Sequence, residues 1–121
     1  MQIDLPLVDL VERIRSGDLL AESLMKEVYS RIDQHNSQLN VFLSLLPSEI
    51  AMARARKIDQ IISSGQTVGK LAGIPVSIKD NICINDPELS NSCGSKIIHD
   101  YHSPYNATTV EKLLKEDAII I

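Results

Sequence analysis

Ser77 and Lys79 are the residues whose types and spacing point most directly to chemistry. They lie in the stretch Leu71–Asp80, which reads Leu-Ala-Gly-Ile-Pro-Val-Ser-Ile-Lys-Asp. Side chains alternate between the two faces of a strand, so the isoleucines and the valine would share a packed face, and Ser77 and Lys79 the opposite one. A lysine near the C-terminal end of a strand lies where α/β proteins often place functional groups, and a neutral amine can act as a base. On spacing alone, however, a strand lysine on a polar face is most often solvated.

Three stretches around this lysine carry a family resemblance. Residues 71–83 read Leu-Ala-Gly-Ile-Pro-Val-Ser-Ile-Lys-Asp-Asn-Ile-Cys, residues 92–98 read Ser-Cys-Gly-Ser-Lys-Ile-Ile, and residues 104–113 read Pro-Tyr-Asn-Ala-Thr-Thr-Val-Glu-Lys-Leu. Together they resemble the amidase signature family, over almost the whole chain. The first stretch is similar to many amidases of that family. The other two resemble, more narrowly, the glutaminase subunits of tRNA-dependent amidotransferases.

This resemblance implies acyl transfer by a serine nucleophile, a second serine with a cis peptide bond, and a lysine that Lys79 matches. A lysine can remove a proton from a hydroxyl only while its amine is neutral, and burial away from water favours the neutral form. Lys79 would then withdraw a proton through the bridging serine. The nucleophile would attack the side-chain amide of glutamine and release ammonia, while backbone N–H groups stabilise the oxyanion.

In the family both serines belong to a glycine- and serine-rich segment well downstream of the lysine, and this sequence ends at Ile121 before any such segment. Ser77, Ser92 and Ser95 do not match the positions of those serines, and we assign none of them a nucleophilic role. We therefore expect residues 1–121 to form the N-terminal portion of a single, incomplete amidase signature domain. By itself, this portion should be inactive.

Three other residues near the lysine have expected roles. Asp80 follows Lys79 directly, and strand neighbours point to opposite faces. We expect its carboxylate to bind backbone N–H groups and to hold the turn after the strand, rather than to take part in proton transfer. Gly94 and Ser95 are candidates for the wall of the active site, because the family places part of that wall in this region. A simple turn is the alternative for both residues.

The elements that position these residues begin with helices. Apolar residues recur at helical spacing in three segments, which predicts one helix between Pro6 and Gly17, a second over about residues 20–35, and a third between Ser48 and Gly65. Val41–Leu43 is a candidate for a short strand. Residues 81–105 have an irregular pattern with turn signals, where binding groups are common.

The C-terminal region is predicted to be a helix followed by a strand. Thr108 and Glu111 fit a capping box, and Asn106 is a further candidate for the helix cap. Val110, Leu113 and Leu114 would face the sheet. The apolar run at residues 118–121 is typical of a strand buried on both faces of a parallel or mixed sheet. The predicted fold class is α/β: the N-terminal part of the amidase signature fold, a mixed β-sheet covered by helices, truncated.

Composition limits the classes of function. The chain is 44% hydrophobic and 23% charged, without an apolar run near the ~20 residues that a membrane span needs, so a membrane protein and a disordered one are both excluded. The net charge of −4 and the lack of a basic cluster argue against tight binding of tRNA by this segment itself. Without a recognisable targeting signal, the bacterial cytoplasm is the simplest location, with an organelle as the alternative.

Cysteine and histidine spacings give little support to a metal site. Cys83 and Cys93 fit neither a Cys-x-x-Cys redox motif nor the usual zinc spacing, so both are predicted to be free thiols. His99 and His102 could be combined with them only in an unusual zinc site, and loop histidines are the simpler interpretation. We expect no cofactor and no metal in this chain. By the family resemblance, ATP and magnesium bind at a partner subunit.

The resemblance also implies partners and leaves competing functions. The substrate would be glutamine, and the ammonia would pass to a partner subunit of a heterotrimeric amidotransferase that converts Glu-tRNA(Gln) to Gln-tRNA(Gln), with tRNA held mainly by the partner and no membrane involved. A small third subunit would clasp this one. A stand-alone amidase of the same family is the first alternative. A non-catalytic truncated chain that serves as an interaction module is the second.

Overall fold

The computed structural model describes residues 2–121, and it confirms the α/β class. A 3-10 turn opens the described chain and four helices and two strands follow. In chain order these are the turn Gln2–Asp4, α1 (Leu7–Ser16), α2 (Ala21–Leu39), α3 (Ser48–Ser63), β1 (Pro75–Val76), α4 (Thr108–Lys115) and β2 (Ile119–Ile120). Within residues 2–121, no helix is both long enough and apolar enough to cross a membrane.

The three N-terminal helices follow the apolar periodicity of the sequence. Helix α1 buries Leu10 and Ile14 and ends at Gly17, whose positive φ of 83° lets its N–H bind the Ile14 carbonyl. Helix α2 runs about a turn beyond the predicted end, to Leu39, and Asn40 then adopts the left-handed conformation. The predicted helices are therefore confirmed, with the second one extended.

Helices α2 and α3 pack against each other and form most of the core. Helix α2 buries Leu24, Met25 and Tyr29, whereas α3 buries the small residues Ala51 and Ala55. Small side chains let two helix backbones approach closely, so the bulky residues of one helix fill the space left by the other. This pair forms the scaffold beside the sheet.

Strands β1 and β2 form a parallel pair in which Pro75 is opposite Ile119 and Val76 opposite Ile120. The Ile119 N–H donates to the Ile74 carbonyl at 2.9 Å, and one step further the Ile121 N–H donates to the Val76 carbonyl at 3.1 Å. All residues from 118 to 121 are buried. This confirms that the C-terminal apolar run is a buried parallel strand.

The approach to β1 is fixed by the turn that precedes β2. The Gly69 N–H donates to Asp117 Oδ2 at 2.6 Å, and the Lys70 N–H donates to Glu116 Oε2 at 2.8 Å. The Gly73 N–H also donates to the Asp117 carbonyl at 3.0 Å. Because two acidic residues bind successive amides of one loop, the segment that leads to Lys79 enters the sheet in a single register.

The predicted strand at Val41–Leu43 is wrong. These residues form an irregular connection between α2 and α3. The N–H groups of Val41 and Phe42 both donate to Asn36 Oδ1, at 2.9 and 3.0 Å. One amide side chain at the end of α2 therefore binds the donors that a strand would have used in a ladder.

The predicted cap of α4 is also wrong. Ala107 occupies the N-cap position without a side-chain hydrogen bond, and Thr108 is already the first helical residue. The Asn106 Oδ1 instead accepts the Asn85 N–H at 2.7 Å, which ties the start of α4 to a distant loop. Of the three apolar residues expected to face the sheet, Val110 is buried and Leu113 half-buried, but Leu114 is exposed.

Candidate functional site

Lys79 lies just beyond β1, where the chain leaves the sheet. The regular ladder covers only Pro75–Val76, which is shorter than the strand predicted over this stretch. The predicted alternation of faces nevertheless holds: Ile78 is half-buried, while Ser77 and Lys79 are exposed. The Lys79 carbonyl accepts the Ile82 N–H at 2.9 Å, which starts a turn directly after the lysine.

Ser77 and Lys79 open onto a cavity of about 640 Å³. Three walls enclose it: the connection between α2 and α3, the irregular segment after Lys79, and the end of β2. Its lining residues are Val41, Phe42, Leu43, Ser44, Ser77, Ile78, Lys79, Asp80, Asn81, Ile84, Leu89, Ser90, Asn91, Cys93, Gly94 and Ile121. The cavity is large enough for an amino acid side chain with its backbone groups, which fits a small-molecule site.

Asp80 binds backbone N–H groups, as its position in the sequence predicted. Its Oδ1 accepts the Ser92 N–H at 3.1 Å, and its Oδ2 accepts the Gly94 N–H at 3.2 Å and the Ser92 hydroxyl. The Asp80 carbonyl also accepts the Cys93 N–H at 3.4 Å. The residue therefore holds a turn, but one that lies further along the chain than the turn immediately after the strand.

The segment held by Asp80 is a tight four-residue turn, closed by the Ser95 N–H donating to the Ser92 carbonyl at 2.8 Å. Its central residues, Cys93 and Gly94, have φ angles of 52° and 69°. Two consecutive positive φ angles are unusual for a chain that includes a non-glycine residue, and they turn both residues toward the cavity that they line. Gly94 is thus part of the predicted wall, whereas Ser95 is not among the lining residues.

The serines of this region have different surroundings. Ser77 lines the cavity beside Lys79. The Ser92 hydroxyl donates to Asp80, and the Ser95 Oγ accepts the Ile97 N–H at 3.2 Å. The last two hydroxyls are therefore engaged in local structure.

Two cavity residues were missed by sequence analysis. Asn91 is only 4% exposed. Its Oδ1 accepts the Ile84 N–H at 3.0 Å and its Nδ2 donates to the Ile82 carbonyl at 2.9 Å. Ser44 Oγ accepts the Ser90 N–H at 3.2 Å and so joins two walls. The only signal was their polar type within irregular segments, which is too common to select them.

The charges near the site are few. The titratable residues that line the cavity are Lys79, Asp80 and Cys93. Among the described residues, Lys79 takes part in no ion pair, and the ion pairs of the chain lie elsewhere, for example between Arg54 and Asp86 at 2.7 Å. The lysine amine is therefore not neutralised by a carboxylate of this part of the chain.

Residues 2–121 contain no group of three or more histidine, cysteine, aspartate or glutamate side chains placed to hold a metal ion. His99 Nδ1 lies 3.1 Å from the Lys96 carbonyl and His102 Nδ1 lies 2.9 Å from the Leu89 carbonyl. Both rings thus contact backbone of their own loops. Cys83 and Cys93 are free thiols.

Comparison with known families places this fold and site in one class. A sequence profile described as Amidase matches residues 23–121, so the chain belongs to the amidase family. The solved structures that it resembles are amidase signature enzymes. The resemblance seen in the sequence is confirmed at the level of the family.

Among curated proteins, the chain is similar to one particular subunit of glutamyl-tRNA(Gln) amidotransferase from several bacteria. It is 40% identical over 118 residues to that of Natranaerobius thermophilus, covering 98% of this chain and 23% of the relative. It is 42% identical over 113 residues to that of Chlorobium phaeobacteroides, covering 93% and 23%. The chain therefore spans about a quarter of the length of these relatives.

Two solved structures have the same fold over almost the whole chain. The peptide amidase of Stenotrophomonas maltophilia superposes with a TM-score of 0.82 at 28% identity, covering 98% of this chain and 24% of that one. A protein from a vestigial complex, described as revealing the evolutionary origins of an s-triazine catabolic enzyme, gives a TM-score of 0.84 at 26% identity, covering 96% and 25%. The fold around Lys79 is therefore shared by amidases with different named substrates.

Proposed function

We propose that this chain belongs to the glutaminase subunit of a tRNA-dependent amidotransferase, and that Lys79 is its catalytic base. The observation that carries the proposal is the placement of Lys79: its side chain opens onto a cavity of about 640 Å³, without an ion-pair partner among the described residues. Similarity to the glutamyl-tRNA(Gln) amidotransferase subunits of several bacteria supports the choice of glutamine as the substrate.

The proposed chemistry divides between this chain and the rest of a full-length protein. The two serines of amidase signature chemistry would lie downstream of residue 121, and their approach to Lys79 would exclude water from a lysine that is exposed in residues 2–121. Loss of water favours the neutral amine, which can then accept a proton from the nucleophilic serine through the bridging one. Without those serines this chain would release no ammonia.

The ammonia would pass to a partner subunit that amidates glutamate on tRNA(Gln). In this proposal ATP, magnesium and most contacts with tRNA belong to that partner, a small third subunit completes a heterotrimer, and the complex works in the cytoplasm. The net charge of −4 on this chain supports the assignment of tRNA to another subunit.

The test is glutamine hydrolysis by the full-length protein and its Lys79→Ala variant, measured as released ammonia. We expect kcat/KM to fall by on the order of 10²–10⁴ while assembly is retained, because a general base contributes that much. Lys57→Ala is the matched control, since Lys57 is an exposed lysine on α3 far from the cavity lining. Hydrolysis that survives in Lys79→Ala would refute the assignment.

A stand-alone amidase is the second candidate, favoured by the 28% identity to a peptide amidase. The two functions differ in their coupling. An amidotransferase subunit should hydrolyse glutamine faster when the partner subunits, ATP and Glu-tRNA(Gln) are present. A stand-alone amidase should be indifferent to them and should act on amides that lack the glutamine backbone.

A further inference from the structure

Asp80 makes more polar contacts with a single segment than any simple turn requires. Its two carboxylate oxygens accept the N–H groups of Ser92 and Gly94 and the hydroxyl of Ser92, and its carbonyl accepts the Cys93 N–H. Each residue of the three-residue segment 92–94 is therefore bound to the residue that follows Lys79. Both partners are sheltered, since Asp80 is half-buried and Ser92 is buried.

These contacts hold a conformation that the segment would not favour alone. Cys93 has a φ of 52°, and a non-glycine residue in the left-handed region costs about 1 kcal/mol or more. Hydrogen bonds to a charged acceptor are stronger than neutral ones and can offset this cost. Cys93 and Gly94 line the same cavity as Lys79, so the carboxylate fixes the distance between the lysine and the opposite wall.

The same contacts decide where the negative charge of Asp80 lies. The carboxylate is adjacent in sequence to Lys79, but its oxygens are directed at the 92–94 segment, and no ion pair joins the two side chains among the described residues. A carboxylate that paired with a lysine would favour the ammonium form, which cannot act as a base. Binding to Ser92 therefore keeps this charge away from the amine.

We propose that Asp80, acting through Ser92, is a positioning residue for Lys79: it locks the Cys93–Gly94 wall at a fixed place in the cavity and leaves the lysine unpaired. This inference rests on the proposed function, in which Lys79 is the base. Asp80 itself does not exchange protons with the substrate. Its contribution is the geometry of the cavity in which the base works.

The kinetic test compares Asp80→Asn, Ser92→Ala and the double variant in the full-length protein. We expect each single change to lower kcat for glutamine hydrolysis by roughly 10- to 100-fold with KM changed little, because misplacement of a reacting group affects mainly the chemical step. The double variant should be no worse than the weaker single variant, since both changes break the same contact. Ser92→Ala leaves the two backbone hydrogen bonds of Asp80 in place, so it remains informative if Asp80→Asn folds poorly.

Asp59→Asn is the matched control. Asp59 also accepts two backbone N–H groups, those of Ala21 and Glu22, but it does not line the cavity. A purely structural role for Asp80 predicts that both aspartate variants lose stability and keep kcat. That result, or losses in kcat that multiply in the double variant, would overturn the inference.

Amide hydrogen exchange gives a readout that is independent of activity. In Asp80→Asn the Ser92 and Gly94 amides should exchange faster by about tenfold or more, while the Gly69 amide, bound by Asp117, should not change. Unchanged exchange at Ser92 and Gly94 would overturn the inference whatever the kinetics show. If the wild type releases no ammonia, or Lys79→Ala keeps its activity, the proposed function fails, and exchange alone then decides whether Asp80 holds the turn.

Discussion

Asp59 Oδ1 accepts the backbone N–H of Ala21 at 2.7 Å, so a side chain in the middle of α3 caps the first turn of α2. The second carboxylate oxygen accepts the Glu22 N–H at 3.1 Å. The local N-cap residue, Leu20, has no polar side chain to offer. A helix that lacks a local cap is therefore capped by its packing partner, which couples helix formation to tertiary packing.

Removal of this cap should destabilise the protein without affecting the cavity. We expect Asp59→Ala to lower the free energy of unfolding by about 1–2 kcal/mol, because two helix N–H groups lose their acceptor. Urea unfolding followed by circular dichroism measures the change. Glutamine hydrolysis should keep the wild-type kcat, and a large loss of kcat would show that α2 and the site are coupled.

The arginine variant of Lys79 tests whether the lysine acts as a base or only as a cation. We expect Lys79→Arg to lower ammonia release by at least about 100-fold, because a guanidinium keeps the charge but does not give up its proton at neutral pH. Steady-state assays of the full-length protein measure it. Substantial activity in Lys79→Arg would indicate that the positive charge, rather than proton transfer, is what the site needs.

Tyr29 should make stability depend on pH in the alkaline range. Burial raises the pKa of Tyr29 from its ordinary value of 10.0 to about 12, with Asp33 adding to the increase and Arg54 opposing it. A raised pKa stabilises the folded state below the pKa of the unfolded chain, so this contribution is complete below pH 10.0 and is lost as the pH rises toward about 12. Unfolding free energies measured across this range should fall.

Tyr29→Phe isolates the same hydroxyl. In the wild type it donates to the buried Leu46 carbonyl at 2.6 Å. The variant should be less stable at neutral pH by about 1–2 kcal/mol, because the carbonyl loses its donor. Between pH 10.0 and about 12 it should lack the part of the decrease that comes from Tyr29. An identical alkaline decrease in both proteins would assign it to other groups.

The thiol of Cys83 should depend on Tyr105. The Tyr105 hydroxyl lies 3.5 Å from Cys83 Sγ, and its hydrogen bond, together with one from Ser103, lowers the pKa of the Cys83 thiol. We expect Tyr105→Phe to raise that pKa and to slow alkylation by iodoacetamide near neutral pH, since only the thiolate reacts. The rates are measured in a Cys93→Ser background, and equal rates would contradict the assigned cause.

Gly73 should tolerate no side chain. Its φ is 75°, and an added Cβ would overlap the Cβ of Ala21 at the start of α2. We expect Gly73→Ala to cost about 2 kcal/mol or more, from backbone strain and from the clash together. Gly17→Ala is the matched control, because Gly17 has a similar φ of 83° with open space around it. The difference between the two variants in urea unfolding measures the clash alone.

Much of this protein could be predicted from the sequence alone. Apolar periodicity placed the first three helices, and the β-branched run at Ile119–Ile121 predicted the buried strand. The motif around Lys79 indicated the amidase family, and the chain order of Lys79 and Asp80 predicted that the carboxylate would bind backbone amides. These features are local, because spacing along the chain fixes which face a side chain takes.

Only the tertiary structure decided which distant groups complete each hydrogen bond. Asn106 and Asn36 have the right chemistry for caps and turns, yet they bind the amides of Asn85 and of the 41–42 connection, which removed the predicted cap and strand. Asp59 likewise caps a helix far away in sequence. A polar side chain binds whichever amide folding brings within about 3 Å, and that distance depends on the packing of the whole chain rather than on its neighbours in sequence.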